Sequence, residues 1–164
     1  MYEDVYGIAG VPTIFRGTLR YNGFSSLMHV FRQMGLFGPE LFDTTSNWEE
    51  VLGELQRLRG SPGDLEGFLV ECARDDKVLA QRAKECLDWL HMSGHNDTVD
   101  HTAPIIDMFC AKLEEHLQYS DKEYDMVVMN HLITAAFENG NVEEHTSSLQ
   151  AFGDDSMTAM CKTV

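Results

Sequence analysis

Asp125-Met126-Val127-Val128-Met129-Asn130-His131-Leu132-Ile133-Thr134-Ala135-Ala136-Phe137, followed at once by Glu138-Asn139-Gly140-Asn141, is the stretch on which the fold turns. Val127, Met129, Ile133 and Phe137 interleave with Met126, Val128 and Leu132, which makes a strand that is apolar on much of both faces. The Asn-Gly pair that ends it accepts the positive φ angles of a type I′ hairpin. The chain then returns over Val142 to Gly153, with weaker alternation, carrying His145, Thr146, Ser147 and Ser148. Asp154-Asp155-Ser156 reads as a capping cluster for a last helix that has scarcely begun at Val164, which predicts a truncated element.

Upstream of this hairpin the period is helical. Phe24, Leu27, Met28, Phe31 and Met34 fall on one stripe that Gly35 is placed to end, and His29 within it reads as a core-edge histidine. Ser46-Asn47-Trp48-Glu49 fits a capping box with Ser46 as the cap and Glu49 reaching back. The helix it opens carries Trp48, Val51, Leu52, Leu55 and Leu58 and stops at Gly60-Ser61-Pro62-Gly63. Asp64 can cap a short helix through Leu65, Phe68, Leu69 and Cys72. Leu79, Ala83, Cys86, Leu87 and Leu90 mark a longer one, and Ile105, Ile106, Phe109, Leu113 and Leu117 another. The expected class is α+β, with helices packed on one side of a small mixed or antiparallel sheet.

Bulk composition bounds what such a chain can do. Its 164 residues are the size of one domain, 43% are hydrophobic, and the chain is globular. Twenty-seven acids against 12 bases give a formal charge of −15, which argues against nucleic acid or an anionic membrane as partner. No apolar run is long enough for a membrane span, and the first residues do not form a signal peptide. Cys72, Cys86, Cys110 and Cys161 are widely spaced without a C-x-x-C, which favours buried, reduced thiols over a metal or redox motif.

Against that acidic background one segment is an exception. Arg16-Gly17-Thr18-Leu19-Arg20-Tyr21-Asn22-Gly23-Phe24 sets two guanidiniums and a hydroxyl at the mouth of the first apolar helix. The alternation over Pro12 to Tyr21 reads as a strand, with Arg16, Thr18 and Arg20 on one face and Phe15, Leu19 and Tyr21 on the other. A helix would also bring Arg16 and Arg20 together. Guanidinium forks bind carboxylates in bidentate fashion, although spacing alone favours two arginines answering local acids.

Other motifs carry less. His91 and His95 have the spacing of two metal ligands on a helix, with His101, Asp97 and Asp100 nearby. Gly94 breaks that helix, however, and no H-E-x-x-H pattern follows, so no metal is expected. Neither G-x-G-x-x-G nor G-x-S-x-G occurs, so neither a dinucleotide turn nor a nucleophile elbow is assigned to this chain. Asp75-Asp76 and Glu143-Glu144 read as solvated faces.

The segment Arg16 to Phe24 resembles the RGTLRY-x-G-aromatic segment of saccharopine dehydrogenases, in particular the saccharopine dehydrogenase half of animal-type bifunctional aminoadipic semialdehyde synthases. Tyr6-Gly7-Ile8, Trp48, Asp125 to Met129, His145 and the closing Ala159-Met160-Cys161-Lys162-Thr163-Val164 extend the likeness along the chain. The resemblance implies the inserted substrate-binding and dimerisation domain of a Rossmann-type dehydrogenase over residues 1–164, without the Rossmann domain itself. It implies NAD-dependent oxidative cleavage of saccharopine to glutamate and aminoadipic semialdehyde in lysine degradation. Thr18, Leu19 and Arg20 are then the substrate contacts, and the catalytic and cofactor residues fall outside this chain. The implied partners are saccharopine, the parent's own Rossmann domain and lysine-ketoglutarate reductase half, and a second copy in a homodimer. The implied location is the mitochondrial matrix for an animal-type parent and the cytoplasm otherwise. The isolated chain is expected to be inactive. Two other readings are a related reductase acting on a polyamine-type substrate and a non-enzymatic acidic interaction module.

Overall fold

The computed structural model describes residues 2–42, 47–61, 63–93, 98–100, 102–120 and 122–163. Their contacts divide into two compact units, Met1–Leu113 and Glu114–Val164. Helices build the first: α1 (Tyr2–Tyr6), α2 (Phe24–Met34), α3 (Trp48–Leu58), α4 (Leu65–Cys72), α5 (Lys77–Trp89) and α6 (Ile105–Leu117), whose last turn enters the second unit. That unit holds an antiparallel hairpin, β1 (Met126–Ala136) and β2 (Val142–Phe152), then a 3-10 turn at Cys161–Thr163. The fold is α+β.

The middle of each helical stripe is buried as its spacing predicts, whereas Phe24, Leu58, Ile106 and Leu117, at or near helix ends, are exposed. Val30, Phe31 and Met34 of α2 join Val51, Leu52 and Leu55 of α3, Phe68 and Leu69 of α4, Ala83 and Leu87 of α5, and Ile105 and Phe109 of α6 in one core. At roughly 1.5–3 kcal/mol for each large apolar side chain removed from water, this core is the main force holding the helices together. Phe31 and Phe109 meet edge to face with centroids 5.6 Å apart, and Phe37 closes on Phe109 at 5.9 Å. α2 packs on both α4 and α5, which fixes the start of α2 against the α5 surface.

The helix ends are satisfied locally. Asp64 accepts the Gly67 N–H at 2.8 Å, as its sequence position predicts. Ser46 lies outside the described residues, and the side chain that caps α3 is its neighbour Asn47, which accepts the Glu50 N–H at 3.0 Å. Asp76 is more than a solvated acid, since it caps α5 through the N–H groups of Val78 and Leu79. α6 has its first N–H groups met by loop carbonyls, Glu40 O for Ile105 and Gly38 O for Ile106. At their C-termini α2, α4 and α5 close with the same pair of reversed hydrogen bonds, the Schellman arrangement. The left-handed residue this needs is Gly35 in α2 (φ 104°), but Arg74 in α4 and His91 in α5, each with φ 56°.

The hairpin pairs Met126 with Phe152 through to Ala136 with Val142. Its turn corrects the type I′ expectation. Phe137 N–H donates to Asn141 O at 2.8 Å and Gly140 N–H to Phe137 O at 2.9 Å, while only Gly140 takes a positive φ, 85°. This is a type I turn completed by a left-handed glycine in a three-residue loop. The cause is the Asn139 side chain, which accepts the Asn141 N–H at 3.0 Å and is thereby committed to a local turn of its own. None of the 11 residues of β1 is an acid, a lysine or an arginine.

The segment after β2 forms a latch in place of the expected helix start. Asp154 Oδ1 accepts from the Ser156 N–H and hydroxyl and from the Met157 N–H, and so builds a tight turn. Lys162 Nζ donates to Asp154 Oδ2 and to Phe152 O, each at 2.7 Å. Gly153 N–H donates to Asp125 O at 2.8 Å, and Tyr124 hydroxyl bonds the Asp155 carboxylate.

Candidate functional site

Residues 12–21 are not a strand. They carry no regular secondary structure and are exposed, with no ladder partner among the described residues. Alternation marks two faces but supplies no neighbour to receive the backbone hydrogen bonds that define a strand. The consequence is plain in the apolar residues of this segment: Phe15 is 91%, Leu19 74% and Tyr21 95% exposed.

Order returns at the turn into α2. Phe24 N–H donates to Tyr21 O at 3.1 Å, and Gly23, the N-cap, takes φ 89°, a conformation that glycine adopts without strain. This turn positions Arg20. Its Nη1 donates to the Leu19 carbonyl at 3.0 Å, and its Cζ stands 5.6 Å from the centroid of the Phe24 ring. An exposed cation over an aromatic face gains about 0.5–1 kcal/mol, enough to bias one rotamer. Thr18 and Arg16 are exposed beside it. The structure therefore brings Thr18, Leu19 and Arg20 to one exposed segment, with Arg20 resting on the Phe24 ring of α2.

A residue that sequence reading passes over comes to the same place. Arg82, on the exposed side of α5, puts Nη1 3.2 Å from where a Cβ on Gly23 would stand. No local signal marks Arg82, because its approach is created by the packing of α2 on α5.

The other chemically suggestive features do not form a rival centre. Among the described residues no three His, Cys, Asp or Glu side chains are placed to hold a metal, and His95, Asp97 and His101 lie outside them. His29 is half-buried with Nε2 at 3.4 Å from Gln33 Nε2. His145 Nε2 lies 3.2 Å from Glu143 on the exposed hairpin. All four thiols are free, but only Cys72 is buried and Cys86 half-buried; Cys110 and Cys161 are exposed, against the expectation of buried thiols. Those two sit on solvent-facing positions of α6 and of the 3-10 turn. A concavity of about 390 Å³ in the second unit is lined by His116, Leu117, Gln118, Tyr119, Glu123 and Tyr124. It offers no guanidinium or ammonium group for a carboxylate.

The family described as the saccharopine dehydrogenase C-terminal domain matches residues 1–164. The mouse mitochondrial alpha-aminoadipic semialdehyde synthase is 31% identical over 173 residues, which cover 99% of this chain and 18% of that protein. The saccharopine dehydrogenase [NADP(+), L-glutamate-forming] of Saccharomyces cerevisiae is 31% identical over 159 residues, covering 93% of this chain and 35% of the relative. The structure of apo saccharopine dehydrogenase (L-Glu forming) from the same yeast superposes with a TM-score of 0.80 at 27% identity, over 99% of this chain and 38% of that one. This chain thus spans well under half the length of the proteins it matches, and a match over its whole length places it in the saccharopine dehydrogenase C-terminal domain family.

Proposed function

We propose that residues 1–164 are the substrate-binding and dimer-forming part of an L-glutamate-forming saccharopine dehydrogenase, in which Thr18, Leu19 and Arg20 contact saccharopine. The observation that carries this reading is the state of Arg20. It is exposed and backed by Phe24, and it spends one N–H on Leu19 O, while no carboxylate of the described residues lies within ion-pair distance. Saccharopine carries three carboxylates, and the rest of the guanidinium fork suits one of them. The Thr18 hydroxyl and the backbone beside Leu19 complete a polar shell.

The parent reaction on this reading is the oxidative cleavage of saccharopine to glutamate and aminoadipic semialdehyde, a step of lysine degradation. This chain contains no glycine-rich dinucleotide turn, so nicotinamide chemistry is not assigned to its residues. NAD is held by the parent's Rossmann domain, although the fungal relatives carry NADP(+) in their names. The animal relatives carry "mitochondrial" in theirs, which supports the matrix for an animal-type parent with a lysine-ketoglutarate reductase half.

Calorimetric titration of the chain with L-saccharopine tests the reading. Saturable binding that Arg20→Ala weakens, with no NADH formed from saccharopine and NAD, is the expected result. Binding that is indifferent to Arg20, or absent at millimolar saccharopine, sinks it.

A further inference from the structure

Two guanidiniums from distant parts of the chain converge on the first residues of α2. Arg20 comes from the exposed segment and rests on Phe24. Arg82 comes from α5 and lies over Gly23, with Nη1 3.2 Å from the position a Cβ would take. The missing side chain at residue 23 is what lets Arg82 come this close to the backbone.

Neither arginine has a carboxylate of the described residues within ion-pair distance. What sets these two apart is that they meet at one helix start, in a chain with 27 acids and 12 bases. Three basic side chains elsewhere do find acids: Arg57 reaches Glu54 at 2.6 Å, Lys84 reaches Asp88 at 3.0 Å, and Lys162 reaches Asp154 at 2.7 Å. Two like charges gathered at one place repel each other, and the partial positive charge at a helix start adds to that. Positive potential left uncompensated in so acidic a chain suits an anion with more than one negative group.

We infer that Arg82 is a second carboxylate-binding residue of the substrate site, joining Arg20 so that the start of α2 grips two carboxylates of one ligand. This rests on Arg20 being a substrate contact, as proposed above. The ligand class is a di- or tricarboxylic amino acid, which matches saccharopine and excludes a monocarboxylate as a full ligand. Phe24 gives Arg20 a flat backing, and Gly23 gives Arg82 its approach. Each fork then meets its own carboxylate.

The test is a titration of the intact chain with L-saccharopine, glutarate and acetate, read by calorimetry and by the Nε–H signals of Arg20 and Arg82 in NMR. Glutarate should bind at least about tenfold tighter than acetate, because the second carboxylate adds a second charge-assisted contact. Arg82→Gln should remove that preference, weaken saccharopine about tenfold and leave acetate within about twofold. Arg82→Lys should restore only part, since it keeps the charge and loses the fork. Residue 82 is exposed on its helix, and an unchanged melting curve for each variant checks that the fold persists. If Arg20→Gln weakens saccharopine while Arg82→Gln stays within about twofold of wild type, Arg82 is excluded and the Arg20 reading survives. If saccharopine and glutarate both fail to bind the wild-type chain, or bind without regard to either arginine, both readings fall.

Discussion

Asp125 Oδ1 accepts the backbone N–H of Ala159 at 2.8 Å, joining two residues 34 positions apart, and its second oxygen receives the Met160 N–H at 3.4 Å. Ala159 is fully buried beneath this bond. The residue just before β1 therefore holds down the segment that follows β2. A hydrogen bond to a charged acceptor is worth about 1.5–3 kcal/mol, so Asp125→Ala should destabilise the hairpin unit by about 2 kcal/mol. Asp125→Asn, which keeps one acceptor, should cost less. Faster hydrogen exchange of the β1 and β2 amides in both variants, in that order, is the readout.

The shared helix ending makes opposite predictions at two positions. Arg74 is exposed and held at φ 56°, where any side chain is strained, so Arg74→Gly should raise stability by about 1 kcal/mol. Gly35→Ala should lower it by more than that. Its φ is 104°, and an added Cβ would stand 3.0 Å from Leu55 Cδ2. Melting temperatures that move up for the first and down for the second check the pair.

The latch after β2 should respond to acid. Lys162 beside Asp154, with the Ser156 hydroxyl and N–H groups, holds the Asp154 carboxyl far below the usual carboxylate range. A folded-state value below the unfolded one means that the stabilisation is fully present above the unfolded value of about 3.9 and fades as pH falls below it. The Ser156 and Met157 amide signals should hold steady down to about pH 4 and shift only below it. In Asp154→Asn that acid transition should be absent at every pH.

Thiol chemistry should separate the cysteines. Burial pushes the Cys72 thiol up to about 11, and it also raises Cys86. Cys110 and Cys161 are exposed. Alkylation of the folded protein at mildly alkaline pH, followed by mass spectrometry, should label Cys110 and Cys161 first and Cys72 last.

If Arg20 grips a substrate carboxylate in an intact parent enzyme, as proposed above, Arg20→Ala should lower kcat/KM by about 2–5 kcal/mol in transition-state terms, because that carboxylate is left unpaired. Arg20→Lys should recover part of the loss. Steady-state kinetics with saccharopine measure both, alongside a melting curve that should not move.

The helices were legible because apolar spacing and caps are local. Phe31, Leu55, Leu69, Leu87 and Phe109 declare their burial through residues three and four positions away. The hairpin was legible in place but not in turn type, since the Asn139 side chain competes with the backbone for the Asn141 N–H. Residues 12–21 misled because an alternating pattern says which faces differ and not whether a neighbouring strand exists. Arg20 could be singled out from its own segment, whereas Arg82 could not, as its place depends on how α5 packs against α2.

The latch at Asp125, Phe152 and Lys162 also sets an order of events during synthesis. An isolated two-stranded hairpin is marginal in water, and here its base is fastened by residues 159–162. The helices up to residue 113 can collapse on one another as they leave the ribosome, since domains form from the N-terminus as chain emerges. The strands have no such freedom. Until Lys162 has cleared the exit tunnel, β1 is a nascent ribbon without charge, and its protection in that interval has to come from outside the hairpin itself.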